Sequence, residues 1–307
     1  MRVPGNRDAF PLSCTKPHKK PVSELRLSFD KYIGKNLRAK VGIGIIVFFA
    51  LVAIFADFIA PYSANAIDFT PWEGPTSEHW LGVNSYGQDI FSRLVYGTRV
   101  TMLVGIFAGL LSSFIGTFVG LLAGYRGGKT GEVLMRIVDV FLVLPTLAVI
   151  IVLSSYVRDM GLGGEILVIG FFSWLMMARS IRSQTLTEAR REYVDAARAQ
   201  GMGSIEIMFK EILPNILPVV TANMVMVITQ ALLTEASMSF LGLGDAAAVS
   251  WGKMLSIAYD NSAILHDAWW WMIPPGLCIA TLGFSFMLIG NSFLDIYAND
   301  RGGHIKL

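Results

Sequence analysis

VTMLVGIFAGLLSSFIGTFVGLLA, residues Val100 to Ala123, holds 24 positions without one charged side chain. A helix rising 1.5 Å per residue needs about 20 such residues to cross roughly 30 Å of hydrocarbon. The stretch therefore reads as a membrane span, and five more blocks read the same way: Val41–Ala60, Val133–Val157, Gly161–Met177, Ile216–Phe240 and Trp269–Ile289. The rest of the composition agrees. Hydrophobic residues make up 53% of the 307 and charged residues 16%, against roughly a quarter charged in an ordinary soluble domain. The first block is expected to stay in the mature chain, although Ala64-Asn65-Ala66 resembles a signal-cleavage site. About 40 mostly polar residues precede it, and it is too long for the short apolar region of a signal peptide.

The net charge of +2 says little, but the placement of the charges sets an orientation, because Lys and Arg are retained on the cytoplasmic side. The leader carries ten of them, from Arg2 to Lys40. Further basic residues are Arg126, Lys129 and Arg136, then Arg179, Arg182, Arg190, Arg191, Arg198 and Lys210, and finally Arg301 and Lys306. Only Arg93, Arg99, Arg158 and Lys253 fall outside this pattern. Six spans with both termini cytoplasmic are expected. The division is a leader over 1–40, a first span over 41–60, an external segment over 61–98, a five-helix core over 99–295 and a tail over 296–307. In the leader, Leu25, Phe29, Ile33 and Leu37 recur every four residues beside basic ones, as in a helix lying on the inner membrane surface. Trp269-Trp270-Trp271 stands where interfacial aromatics anchor a span. Cys14 and Cys278 lie in a polar and an apolar setting, which argues against a disulfide between them.

The longest cytoplasmic connection, within residues 189–214, contains EYVDAARAQGMGSIEIMFKEILPN, Glu192 to Asn215. Glu192, Asp195, Ala196, Ala197 and Arg198 favour a helix with an acidic first turn. Gly201 suits the left-handed residue that ends it. Ser204 can cap a second helix, with Ile205, Met208, Phe209 and Ile212 forming one apolar stripe before Pro214 stops it. Alanines on a charged, exposed helix let another protein approach the backbone closely.

Asp195-Ala196-Ala197, three residues, Gly201, then Leu213-Pro214 resembles the cytoplasmic signature of binding-protein-dependent ABC permeases. Three other stretches narrow the resemblance to the second permease of oligopeptide, dipeptide and nickel importers: HWLGVNSYGQDIFSRLVYGTRV (His79–Val100), GLLAGYRGGKTGEVLMRIVDVFLVLP (Gly120–Pro145) and EASMSFLGLG (Glu235–Gly244). The likeness covers roughly residues 30–297. Asp195 stands where the family more often has Glu, Glu211 where many members are apolar, and the tail IGNSFLDIYANDRGG departs from the usual ending. The resemblance implies an all-α membrane protein, the six-helix transmembrane domain of a type I ABC importer. Glu192, Asp195, Ala196, Ala197, Arg198 and Gly201 would then form the coupling helix that docks on an ATPase subunit. It also implies a heterodimer with a related permease, two ATPases that bind the ATP and Mg, and an extracytoplasmic binding protein. Peptide is the expected cargo, with nickel chelates or oligosaccharides as alternatives. No cofactor, catalytic set, metal site or nucleic-acid contact is expected in this chain.

Other patterns are set aside. GYRGGKT (Gly124–Thr130) has one residue too few for a phosphate-binding loop and follows a span, not a strand. The four histidines lack ligand spacing. Gly105, Gly109, Gly116, Gly120 and Gly124 line one face of the second span, as close helix packing requires. Charges in spans should face protein or water, so Arg136 is expected to pair with Asp139 three residues on, and Glu235 to line the translocation path or its outer gate. A secondary transporter would show inverted repeats or interrupted helices, neither of which is evident.

Overall fold

The computed structural model describes residues 36–156 and 161–302. The surface helix expected around Leu25–Leu37 falls mostly outside the described residues. Among the described residues, ten α-helices of eight residues or more order the chain: α1 (Leu37–Ile54), α2 (Ile90–Arg126), α3 (Gly128–Val143), α4 (Thr146–Tyr156), α5 (Gly161–Phe172), α6 (Leu175–Glu188), α7 (Glu192–Ala199), α8 (Leu213–Phe240), α9 (Trp251–Asp260) and α10 (Trp269–Gly302). Among the described residues, four helices are long and apolar enough to cross a membrane, or up to six spans if each of two bent pairs is counted as one.

Those pairs are where the sequence reading needs correction. Val133–Val157 is not one helix: α3 and α4 meet at 82°. Leu144 is extended there (φ −73°, ψ 134°), the conformation imposed on a residue that precedes proline, here Pro145. The second break, of 43°, separates α5 from α6. The Ser173 hydroxyl donates to the Ile169 carbonyl at 2.8 Å, the back-bonding that bends helices. Pro214, by contrast, does not stop its helix. Ser204–Phe240 runs without interruption through a π-helical stretch, Ile207–Ile212. A π turn widens the backbone just ahead of the proline, relieving the clash its ring would make with the carbonyl four residues back. Nor does Ser204 cap that helix, whose N-cap is Gly203.

The glycine face of α2 is the centre of the bundle, and it serves two neighbours in turn. A Cβ on Gly109 would stand 2.7 Å from the Ile228 Cα, and one on Gly105 would run into the Leu232 side chain, so the N-terminal half of α2 lies against α8. Further along, a Cβ on Gly120 would be 2.7 Å from the Ala178 carbonyl oxygen and one on Gly116 2.9 Å from the Trp174 oxygen. The C-terminal half thus lies against α6. The absent side chains are what allow the backbones this close.

At the N-terminal end of α2, residues 61–89 form a folded cap. His79 Nδ1 lies 2.9 Å from Asp89, which also accepts the Ser92 amide at 2.7 Å and so caps α2. That helix begins at Ile90 rather than near Val100. Trp271, expected to be a membrane anchor, is a core residue instead, as is Trp251. Trp251 is fully buried, donating its indole N–H to the Leu94 carbonyl at 2.9 Å, and Trp271 packs edge-on against Trp72. Three of the four cations left outside the charge pattern are used here. Arg93 donates to the Ala64 carbonyl, Arg99 to the Ala53 carbonyl and Asp57, and Lys253 to the carbonyls of Asp245, Ala246 and Ala248.

Candidate coupling segment and membrane cavity

The segment after α6 is built on a buried acid. Glu188, 4% exposed, accepts from the Tyr193 hydroxyl at 3.1 Å and pairs with Arg191 at 3.4 Å. Burial, with the Glu188 charge beside it, pushes the Tyr193 phenol above its ordinary pKa, so it stays a donor. Arg191 is extended and begins α7, whose first turn carries Glu192 and Asp195 and whose last carries Arg198, the order the helix dipole favours. Val194 and Ala197, three apart, face inward onto Ile207, Ile212 and Ile216, while Glu192, Asp195, Ala196 and Arg198 face out. Ala197 is therefore no part of an exposed contact surface, because the helical period turns it inward with Val194.

Gly201 ends α7 as its sequence position suggests. Its φ is +80°, its amide donates to the Arg198 carbonyl at 3.0 Å, and the Met202 amide donates to the Ala197 carbonyl at 3.2 Å. Together these bonds make a Schellman cap. Arg198 bonds Asp195 at 2.9 Å and lies over the Tyr125 ring at the C-terminal end of α2. The apolar stripe beyond is divided by the π stretch. Ile207, Met208 and Ile212 are buried, whereas Ile205 and Phe209 are exposed and, with Phe118, Leu122 and Arg126, edge a cavity of about 240 Å³.

Two expected roles inside the spans are corrected. Asp139 is bonded to Arg179 of α6, not to Arg136. Helices α3 and α6 pack side by side, and Arg136 lies instead on an exposed face with Val133, Ile137 and Val140. Glu235 lines no opening. It is 0% exposed, accepts from Ser239 at 2.9 Å and has Thr101 and Ser250 beside it, while its Oε2 finds no partner of hydrogen-bond geometry. Glu165, also buried, belongs to this polar knot through Ser239. It escaped the sequence reading, although an acid inside the block Gly161–Met177 was a visible signal.

A separate cavity lies at the two helix breaks. A cavity of about 370 Å³ is lined by Leu142, Thr146 and Leu147 from the first break, by Ser173, Met176 and Met177 from the second, and by Asn223, Met226, Gln230 and Thr234 of α8. Asn223, Met226, Gln230 and Thr234 follow one another at helical spacing and so share a face. No charged residue lines the cavity. Among the described residues, no group of three His, Cys, Asp or Glu side chains could hold a metal ion.

Comparison with known proteins places this architecture. Residues 116–298, which include the α7 segment, the cavity and both breaks, match the family described as binding-protein-dependent transport system inner membrane component. Residues 32–73 match the N-terminal TM domain of oligopeptide transport permease C. The chain is 34% identical to the dipeptide transport system permease protein DppC of Bacillus subtilis, over 90% of this chain and 86% of that one. It is 35% identical to the oligopeptide transport system permease protein OppC of the same organism, over 85% of each. It is also 35% identical to the glutathione transport system permease protein GsiD of Pectobacterium atrosepticum, over 86% and 87%. A chain of the inward-facing MetNI methionine ABC transporter shares the fold, with a TM-score of 0.55 and 21% identity over 67% of this chain and 95% of that one. Four to six candidate spans, a short capped helix between α6 and α8 and these matches lead to one conclusion: the chain is a multi-pass membrane protein of the binding-protein-dependent transport system inner membrane component family, a permease with the type I importer membrane-domain fold.

Proposed function

We propose that this chain is one of two permease subunits of a peptide importer, and that it converts ATP hydrolysis by partner ATPases into movement of its spans through α7. The observation that carries the coupling role is the attachment of α7. It presents Glu192, Asp195 and Ala196 outward, yet is tied to α6 through Glu188 and to α2 through Arg198 and Tyr125. A push on its exposed face would be passed to two spans whose backbones already touch. The relatives are named for dipeptide, oligopeptide and glutathione transport, which favours peptides over chelates or sugars as cargo. An extracytoplasmic binding protein would deliver the substrate to the folded outer cap. Both termini are assigned to the cytoplasm, since that places α7 beside the ATPases.

The test is recovery and stimulation. Tagged chain, purified from membranes, should carry a second permease and ATPase subunits in fixed proportion. The complex in lipid vesicles should hydrolyse ATP faster when peptide-loaded binding protein is added. Recovery of the chain alone, or hydrolysis indifferent to loaded binding protein, refutes the reading.

A further inference from the structure

The cavity at the helix breaks combines three properties that bear on what it holds. First, its volume, about 370 Å³, falls in the range of small-ligand sites. Second, its polar groups are uncharged and come mainly from one helix face, Asn223, Gln230 and Thr234. Asn223 Nδ2 bonds the Val219 carbonyl, which orients the amide and leaves Oδ1 to accept; Thr234 donates within its helix and keeps an acceptor lone pair. The Gln230 side chain is exposed and makes no hydrogen bond to another described residue. An amide facing lipid without a partner would cost several kcal/mol, so these groups belong to a surface that meets a polar partner. Third, the rest of the wall is soft: Met176, Met177 and Met226 have unbranched side chains that adapt to different shapes.

Alternating amide donors and acceptors without charge match the groups every peptide main chain repeats, an N–H and a C=O per residue. Adaptable methionines match side chains that differ from one peptide to the next. A formal charge here would instead favour peptides of the opposite sign. We propose that this cavity binds the peptide main chain during translocation, Asn223 and Gln230 pairing with its amide groups, and that its lack of charge is what lets peptides of either sign pass. The inference rests on the peptide-import reading above.

The test uses the assembled complex in vesicles with three peptides, Ala-Ala-Ala, Ala-Glu-Ala and Ala-Lys-Ala. Uptake of each by a variant is divided by wild-type uptake of the same peptide, which removes the preference of the binding protein. Gln230→Lys should lower this quotient for Ala-Lys-Ala at least tenfold relative to Ala-Glu-Ala, and Gln230→Glu should do the reverse. Gln230→Leu combined with Asn223→Leu should lower all three together, with ATPase recovery unchanged. Equal quotients for the three peptides in both charged variants overturn the site. If a charged variant does not assemble, Gln230→Cys is assembled first and then modified with a cationic or an anionic thiol reagent. The same discrimination, and protection of Cys at this position by Ala-Ala-Ala, is expected. A position that no reagent reaches in the assembled complex overturns the site in favour of contact with the second permease. Failure of the wild-type complex to import any of the three removes the peptide reading itself, and this inference with it.

Discussion

Arg198 lies over the ring of Tyr125, its guanidinium carbon 5.3 Å from the ring centroid. The pair joins the last turn of α7 to the C-terminal end of α2. Contacts of this kind contribute about 0.5–1 kcal/mol at exposed sites. Arg198→Ala and Tyr125→Leu should each weaken the stimulation of ATP hydrolysis by loaded binding protein, and the double variant should be little worse than either. Additive losses in that cycle would show that the two side chains act separately.

Gly201 separates backbone conformation from space. A side chain there would meet nothing within 4 Å, but φ is +80°. Asn tolerates this region better than β-branched residues do. Gly201→Asn should keep transport near wild type. Gly201→Val should misplace α7 at a cost of about 1 kcal/mol or more, reaching the membrane at normal levels but losing coupled uptake. Equal uptake by the two variants would contradict the assignment.

Gly105 and Gly109 both approach α8, yet they should respond differently to repair. The obstacle at Gly105 is the end of the Leu232 side chain, whereas at Gly109 it includes the Ile228 Cα. Overpacking of this sort costs about 1–3 kcal/mol. The thermal midpoint of the detergent-solubilised complex should fall for Gly105→Ala and recover when Leu232→Ala is added. Gly109→Ala should not be rescued by Ile228→Ala, because backbone cannot be trimmed.

Glu235 is predicted to hold the outer ends of the spans together rather than to meet substrate. Glu235→Gln keeps an acceptor for Ser239 and should leave assembly and uptake close to wild type. Glu235→Leu strands a buried hydroxyl, a loss of about 1–3 kcal/mol, and should lower the thermal midpoint. A fully assembled Glu235→Gln complex that cannot transport would return this residue to a gating role.

Orientation can be read by labelling in intact cells. Tyr86 in the folded cap, Asp260 at the end of α9 and Ser204 beyond α7 are exposed. Cysteines placed at 86 and 260 should react with an impermeant thiol reagent added outside, and one at 204 should not. Reaction at 204 would invert the topology and remove the coupling role.

The apolar blocks, the glycine face and the end of α7 were legible in the sequence alone. These depend on neighbours along the chain: apolar length, spacing along a helix, and one residue with a left-handed φ. Pro145 was also in plain view, and its effect on Leu144 is local, so the 82° break was legible even though Val133–Val157 read as one span. Which helix each group meets depends instead on how the bundle packs. Arg136 and Asp139 share a helix and invite pairing, but Arg179 reaches Asp139 from α6. Glu235 looked costly enough to need water, yet Ser239, Thr101 and Ser250 enclose it from α8, α2 and the residue before α9. Trp271 suited an interface and became core. In each case the residue type announced a need, for a counter-charge, a donor or an apolar surrounding. Helices distant in sequence chose how that need was met, because packing between spans depends on side-chain shape across the bundle and not on order along the chain.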